Sequence, residues 1–342
     1  MDFSLLVMWT GFILASYSVV GNDVIQTLGT FLTSNEKNLP WYVLWIFGAG
    51  ILSVMLIYGF STNDVSYGRL AKFQMPDYYA WYYLLPPIIL LTITRIGIPV
   101  STTFMILTLF SLQNVPGDFR EMFLSIFDTK AILGGMIQKS VMGYIIAFSA
   151  AIVIYLLIAK TIEKYFIENS PGKAAKRFWT MAQWCSTGFL WSQWLIQDLA
   201  NIYIYLQGGR NMSAIEFAIS LILINVLLGY IFYSKGGAIQ EVVRKKTNTD
   251  DIRSATIIDF IYGVILYVFQ DDYFGLWGGK LPMSTTWVFI GLLAGRELGI
   301  RLMLEKQITK KISRMVFADL GKVFFGLIVS VVLVFIIKWV SH

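Results

Sequence analysis

The sequence Pro99-Val100-Ser101-Thr102-Thr103 recurs as Pro282-Met283-Ser284-Thr285-Thr286, with an offset of 183 residues at the serine. A second motif, Gly21-Asn22-Asp23-Val24-Ile25-Gln26, has a counterpart in Gln197-Asp198-Leu199-Ala200-Asn201, offset by 175 residues at the aspartate. Both motifs are polar, lie in otherwise apolar stretches and recur in the same order. Such a pattern is typical of membrane transporters built from two copies of one structural unit.

The composition of the chain is typical of an integral membrane protein. Of its 342 residues, 56% are hydrophobic and 14% are charged, and the mean hydropathy is +0.65. Runs such as 41–60, 213–234 and 323–340 are each long enough to cross about 30 Å of hydrocarbon. Residues 1–21 lack the basic start and the small-residue cleavage site of a signal peptide, so we expect a retained membrane span there.

The residue types argue against several kinds of site. The single cysteine, Cys185, excludes an internal disulfide, and the single histidine, His342, is the last residue. We therefore expect neither a transition-metal site of His and Cys ligands nor Ser–His or Cys–His catalysis. No P-loop occurs, so ATP-driven transport by this chain alone is not expected. The sequence predicts a protein that is not an enzyme.

The net charge of +6 and the pI near 9.2 indicate membrane orientation rather than nucleic-acid binding, because basic residues collect in cytoplasmic loops. The segments rich in Lys and Arg, which we predict to be cytoplasmic, are 163–177, 235–253 and 296–314. The segments with few basic residues, which we predict to be external, are 1–3, 61–77 and 207–212.

Spans placed between these segments give the chain a two-fold organisation. The predicted spans are 4–33, 41–60, a pair in 78–112, and 131–162, followed by 178–206, 213–234, a pair in 253–300, and 315–338. With an external N-terminus the first half ends inside, so the second half begins from the opposite side. The sequence predicts an all-α polytopic membrane protein with two inverted-topology repeats, 1–162 and 178–342. A basic cytoplasmic linker, 163–177, joins them, and both termini are predicted to be external.

Breaks are expected within some of these helices. Gly, Asn and Asp at 21–23 weaken a helix, and Gly97-Ile98-Pro99 stands immediately before the first Ser-Thr-Thr. Residues 278–282 repeat this pattern before the second one. We therefore predict re-entrant or paired helices that begin at Ser101 and Ser284. Their free N–H groups and positive dipole ends would form an anion site.

Together, the four motifs resemble those of the inorganic phosphate transporter (PiT) family, whose members carry a GAND-type and a PVSTTH-type motif in each half. The resemblance implies an inverted-repeat carrier that binds phosphate between two Ser-Thr-Thr tips, with sodium or a proton as coupling ion and no other cofactor. The chain departs from the family at several positions, and Trp194-Leu195-Ile196 replaces the small Gly-Ala residues that lead into the motif of the second copy. Gln26 and Gln197 replace asparagines, and Phe104 and Trp287 replace the histidines after each Ser-Thr-Thr.

The resemblance, carried over residue by residue, implies two sets of site residues. The candidate phosphate-binding residues are Ser101, Thr102, Thr103, Ser284, Thr285 and Thr286. The candidate cation-binding residues are Asn22, Asp23, Gln26, Gln197, Asp198 and Asn201. Hydroxyls and helix-start amides donate hydrogen bonds to phosphate oxygens, whereas sodium prefers carboxylate, amide and carbonyl oxygens. Aspartates within a membrane are costly unless paired or hydrated, which makes them functional candidates.

The function predicted from these residues is secondary active transport of inorganic phosphate across the plasma or inner membrane, coupled to sodium or protons. Two alternatives stay open: transport of another oxyanion such as sulfate, and a non-transporting sensor or partner subunit on the same fold. The expected partners are the oxyanion, the coupling ion and the lipid bilayer, without nucleic acid. A homodimer is compatible with the sequence.

Four further charged residues have two interpretations each. Lys139 and Lys322 share the 183-residue offset of the serines. We expect each lysine to snorkel to the membrane interface along its apolar stem; the alternative is a symmetric pair that attracts the anion. For Asp259 and Asp319 we favour structural pairing or an interfacial location over a role as coupling sites.

Overall fold

The architecture is helical throughout the part of the chain that a computed structural model describes, which comprises residues 2–96, 100–112, 119–158, 164–169, 171–235, 251–271, 275, 279–304 and 310–341. These residues include no β-strand. Four helical stretches among them are long and apolar enough to cross a membrane: Phe3–Val24, Trp41–Ser61, Arg120–Leu157 and Ala214–Tyr233. The predicted all-α class is confirmed, and these four stretches fit a membrane protein.

The helices of the first half are α1 Phe3–Val19, α2 Ile25–Asn35, α3 Trp41–Ser61, α4 Leu85–Arg95, α5 Thr102–Leu112, α6 Phe119–Phe127 and α7 Ile132–Ile158. Those of the second half are α8 Lys164–Glu168, α9 Lys173–Asp198, α10 Ala200–Tyr203, α11 Ala214–Tyr233, α12 Ile252–Val268, α13 Thr285–Leu304 and α14 Lys310–Ser341. The two predicted pairs correspond to α4 with α5 and to α12 with α13. Their Ser-Thr-Thr motifs stand at the starts of α5 and α13.

The expected break at 21–23 takes a different form from the one predicted. Val20–Val24 forms a π-helical turn that joins α1 to α2 without an interruption. Wider turns of this kind are often found at functional sites. Asn22 and Asp23, which are adjacent in sequence, are both buried. In the second half, α9 ends at Asp198 and the short helix α10 follows after Leu199.

Lipid-facing surfaces are clearest on α3 and α11, which pack against each other. Large apolar side chains on the outward faces of both helices are exposed: Ile46, Val54, Ile57, Ile215, Ile219, Ile222 and Val226. On α11 these exposed residues recur every three or four positions, which places them on one helical face. A continuous apolar face of this kind is what a helix presents to hydrocarbon.

The predicted external segments meet at one end of the helices. Asp64 forms an ion pair with Arg210 at 3.4 Å, and Asn63 donates from Nδ2 to the side-chain oxygen of Asn211 at 2.8 Å. These contacts join 61–77 to 207–212. Elsewhere, Arg253 donates from Nη2 to the backbone oxygen of Phe166 at 2.7 Å, which joins two of the predicted cytoplasmic segments. Segments that the sequence analysis placed on the same side of the membrane by their content of basic residues are therefore also in contact in the structure.

Close packing of α7 against α13 is made possible by glycines. Gly291, Gly295 and Gly299 recur every four residues on α13 and face α7. A Cβ atom added at Gly291 would lie 2.6 Å from the backbone oxygen of Tyr144, and one at Gly295 would overlap the backbone oxygen of Phe148. Small residues at this spacing allow helix backbones to approach each other in membranes.

We expect Gly291→Ala to lower the free energy of unfolding by about 1–3 kcal/mol, because the added methyl group forces α7 and α13 apart. Thermal unfolding of the detergent-solubilised protein measures this. Gly50→Ala is the matched control, since nothing lies within 4 Å of a Cβ added there. The control should be neutral or stabilising by up to about 1 kcal/mol. Equal melting temperatures for the two variants would contradict the role given to the glycine stripe.

Candidate functional site

The two Ser-Thr-Thr motifs form the starts of α5 and α13. The hydroxyl of Ser101 accepts the backbone N–H of Phe104 at 3.2 Å, and that of Ser284 accepts the N–H of Trp287 at 3.4 Å. Each serine thus caps its helix in the same way. Phe104 and Trp287 pack edge to face, with ring centroids 5.5 Å apart. The aromatic residues at the positions of the family's histidines therefore hold the two helix starts together.

The threonines connect the helix starts to the two aspartates. The hydroxyl of Thr102 donates a hydrogen bond to Oδ2 of Asp23, and that of Thr103 donates to Oδ1 of Asp198 at 3.2 Å. Thr286, from the other motif, also interacts with Asp23. Thr285, from the same motif as Thr286, likewise lies close to Asp198. Each carboxylate is therefore approached by the first threonine of one motif and the second threonine of the other.

The backbone shows the same reciprocal relation between the motifs. Thr286 donates to the backbone oxygen of Val100 at 3.4 Å, and Thr103 donates to that of Met283 at 3.4 Å. The side-chain amide of Asn22 also donates to the oxygen of Val100, at 2.7 Å. The two tips are thus tied to each other and to the π-helical turn.

Three buried side-chain amide oxygens of this cluster have no hydrogen-bond partner within the described part of the chain. Asn22 and Asn201 use their nitrogens as donors to Asp23 and Asp198, at 2.7 and 2.8 Å, and Gln197 donates to the backbone oxygen of Leu266. Their oxygens, Oδ1 of the two asparagines and Oε1 of Gln197, accept no hydrogen bond from any residue that the structure describes. Buried acceptors without donors are costly. With two carboxylates beside them, they are the oxygen ligands that hard cations bind.

All twelve residues that the sequence analysis assigned to the site are buried, none of them more than 3% exposed. Gln26 contacts the same cluster, because its Nε2 donates to the backbone oxygen of Asn22 at 3.3 Å and lies 3.5 Å from Asp23 Oδ1. The geometry thus brings the motifs from both halves into one buried cluster of hydroxyls, amides and carboxylates.

The expectation that Lys139 snorkels to the interface was wrong. Its ammonium is fully buried and donates to the backbone oxygen of Leu281 at 2.9 Å. Leu281 immediately precedes the second Pro-Met-Ser-Thr-Thr motif, so the lysine reaches the site instead of the membrane surface. Snorkelling requires a helix face next to lipid, but α7 packs along α13 here. The side chain of Lys322 lies outside the described residues.

Three residues near the site were missed from sequence. Arg69, in a segment predicted to be an external loop, is 1% exposed and approaches the backbone oxygens of Ile196 and Leu281. Ser140 accepts the backbone N–H of Ser284 at 2.9 Å, and Tyr262 donates to the backbone oxygen of Thr285 at 3.0 Å. None of the three belongs to a repeated motif, so only the tertiary fold identifies them.

A third buried carboxylate, Asp259, is held between α2, α9 and α12. Thr30 donates to its Oδ1 and Thr187 to its Oδ2, both at 2.6 Å. Asp259 is thus paired with two hydroxyl donors, as the structural interpretation expects. Nearby, Asn35 donates to Gln183 at 2.8 Å, which extends the polar contact between α2 and α9. The side chain of Asp319 lies outside the described residues.

Comparisons of this chain with protein-family models, with curated proteins and with solved structures find no match. The resemblance to the phosphate transporters therefore rests on the four motifs.

We expect Asp259→Ala to lower the free energy of unfolding by about 1–3 kcal/mol, because it leaves two buried threonine hydroxyls without their acceptor. Asp259→Asn keeps one acceptor oxygen and the side-chain volume, so it should cost less. Thermal unfolding in detergent compares both with Asp77→Ala, a change at an exposed aspartate. A melting temperature for Asp259→Ala equal to that of the control would contradict this assignment.

Proposed function

We propose that this protein is a secondary active transporter that moves inorganic phosphate together with sodium ions or protons across the cell membrane. The observation that carries the proposal is the set of buried amide oxygens beside Asp23 and Asp198 that no described residue supplies with a hydrogen-bond donor. A cluster with surplus acceptors and two carboxylates has the chemistry of a cation site. The threonine hydroxyls and the helix starts next to it have the chemistry of an anion site.

The two carboxylates explain why transport of the anion would be coupled to a cation or proton. Asp23 and Asp198 are buried and close enough to repel each other electrostatically. Two negative charges in a low-dielectric interior require compensation, which a bound cation or proton provides. Threonines from both motifs hold these carboxylates, so cation binding would also position the hydroxyls that receive the anion. In this proposal the cation neutralises the site before the anion enters.

The contacts between helices favour an inverted repeat. When the helices of the two halves are matched in chain order, α5 corresponds to α13, α7 to α14, α1 to α9 and α4 to α12. The packing of α7 on α13 then has its counterpart in α14 on α5, and α9 on α12 has its counterpart in α1 on α4. Halves related in this way can exchange conformations, which is the basis of alternating access.

The proposed arrangement in the membrane follows from charge. The end that joins 163–177 to residues 251–253 would face the cytoplasm, because parts of two basic segments meet there. The opposite end, with Asp64 and Arg210, would face outside, together with both termini. The chain would then cross the membrane several times, with repeats 1–162 and 178–342 meeting at the buried site.

Uptake of radiolabelled phosphate by proteoliposomes tests this function. We expect wild-type protein to accumulate phosphate when an inward sodium or proton gradient is imposed. Asp23→Asn and Asp198→Asn should each reduce that uptake by about tenfold or more, since each removes an ionic ligand worth at least 1.4 kcal/mol. Asp77→Asn, at an exposed site, should leave uptake unchanged.

Parallel uptake of radiolabelled sulfate identifies the substrate. Sulfate uptake without phosphate uptake would replace phosphate by another oxyanion and keep the coupled mechanism. Folded wild-type protein that takes up neither anion under either gradient would overturn the transporter proposal and favour a sensor or partner subunit.

A further inference from the structure

Arg69 carries a buried positive charge that no carboxylate neutralises directly. Its side chain is 1% exposed and forms no ion pair with any described residue. Nε and Nη1 approach the backbone oxygens of Ile196 and Leu281 at 3.4 Å each, close to the limit of a hydrogen bond. Nη2 is buried and has no hydrogen-bond partner among the described residues. A guanidinium in this state has donor capacity available for a ligand.

Lys139 brings a second positive charge to the same place. Its ammonium is fully buried and donates to the oxygen of Leu281 at 2.9 Å, the same oxygen that Arg69 approaches. One shared acceptor holds the two cations close together. An anion bound beside them would interact with both positive charges at short range.

Both cations lie next to the site already described. Leu281 is three residues before Ser284 at the start of α13, and Ile196 is two residues before Asp198. Asp198 and Asp271 are the carboxylates that act on Arg69 electrostatically from a greater distance. A ligand held by Arg69 and Lys139 would therefore stand close to the second Ser-Thr-Thr motif.

A cleft with two lysines in its lining is connected to both cations through short stretches of chain, although neither cation lines it. It has a volume of about 370 Å³ and its lining includes Lys72, Gln74, Ser111 and Lys130. Lys72 is three residues from Arg69 in the connection between α3 and α4. Lys139 lies on α7, and α7 begins at the cleft, where Ile132 and Leu133 line it. Lys139 lies six positions after Leu133 along this helix, a rise of about 9 Å.

We infer that Arg69 and Lys139 form an oxyanion-binding site between this cleft and the start of α13, which takes a tetrahedral divalent oxyanion such as phosphate or sulfate. The inference rests on the proposed transport function and adds two binding residues to it. The planar guanidinium suits two oxygens of such an anion at once, and the ammonium supplies a further donor. The basic cleft raises the local concentration of anions at its entrance.

Equilibrium dialysis of the purified full-length protein in detergent tests the inference, with radiolabelled phosphate and sulfate as probes at a fixed sodium concentration. Arg69→Gln and Lys139→Gln should each weaken binding of the preferred anion by about tenfold or more. Arg69→Lys keeps the charge but loses the planar fork, so it should show an intermediate loss. Arg177→Gln, at an exposed arginine, is the matched control and should bind as the wild type does.

The outcomes separate this inference from the proposed function. Wild-type affinity in folded Arg69→Gln and Lys139→Gln, with phosphate uptake by the wild type intact, would overturn the inference alone. Wild-type protein that binds neither anion would overturn both. If Arg69→Gln does not elute as a monodisperse species in gel filtration, Arg69→Lys and Lys139→Gln decide the question.

Discussion

The burial of two aspartates that repel each other is the constraint on which the structure depends. Asp23 and Asp198 lie in the interior of an apolar chain, where an uncompensated carboxylate is expensive. Hydroxyls from both halves, side-chain amides and a π-helical turn all converge on these two groups. Each half supplies one carboxylate and also donors for the carboxylate of the other half. Neither half could bury its own aspartate in this way without its counterpart.

That mutual dependence gives the repeated motifs a physical meaning. Ser101 and Ser284 are used within their own helices as caps, whereas the threonines that follow them reach outward to the aspartates. The serines therefore stabilise the two helix starts, and the threonines connect those starts to the charges. Phe104 and Trp287 close the contact between the tips with an aromatic pair, where a histidine would bring a titratable group. The proposed coupling between cation and anion follows from this sharing of threonines.

Much of this arrangement could be predicted from sequence because it follows from periodicity and repetition. Apolar runs place the helices, and motifs that recur in the same order in both halves indicate which polar residues belong together. Arg69 carries no such signal, since a lone arginine in a loop is usually solvated, and only the fold brings it to Leu281.

Lys139 did carry a sequence signal, but the sequence did not show where its side chain points. Lys139 and Lys322 share the 183-residue offset of the serines, which marks them as a related pair. Whether the ammonium of Lys139 reaches lipid headgroups or the interior depends on the helix that packs against α7. The π-helical turn was also beyond sequence reasoning, since Gly, Asn and Asp are compatible with either a break or a wider turn.

The glycine stripe of α13 has a consequence for motion. Where a layer of side chains separates two helices, they can slide or rotate by changing rotamers, but at Gly291 and Gly295 backbone meets backbone and no such layer exists. We therefore expect α7 and α13 to move as one rigid body. Lys139 and the second Ser-Thr-Thr motif would then move together. Any conformational change that opens the buried cluster must then break weaker contacts, such as the aromatic pair and the long threonine hydrogen bonds between the two tips.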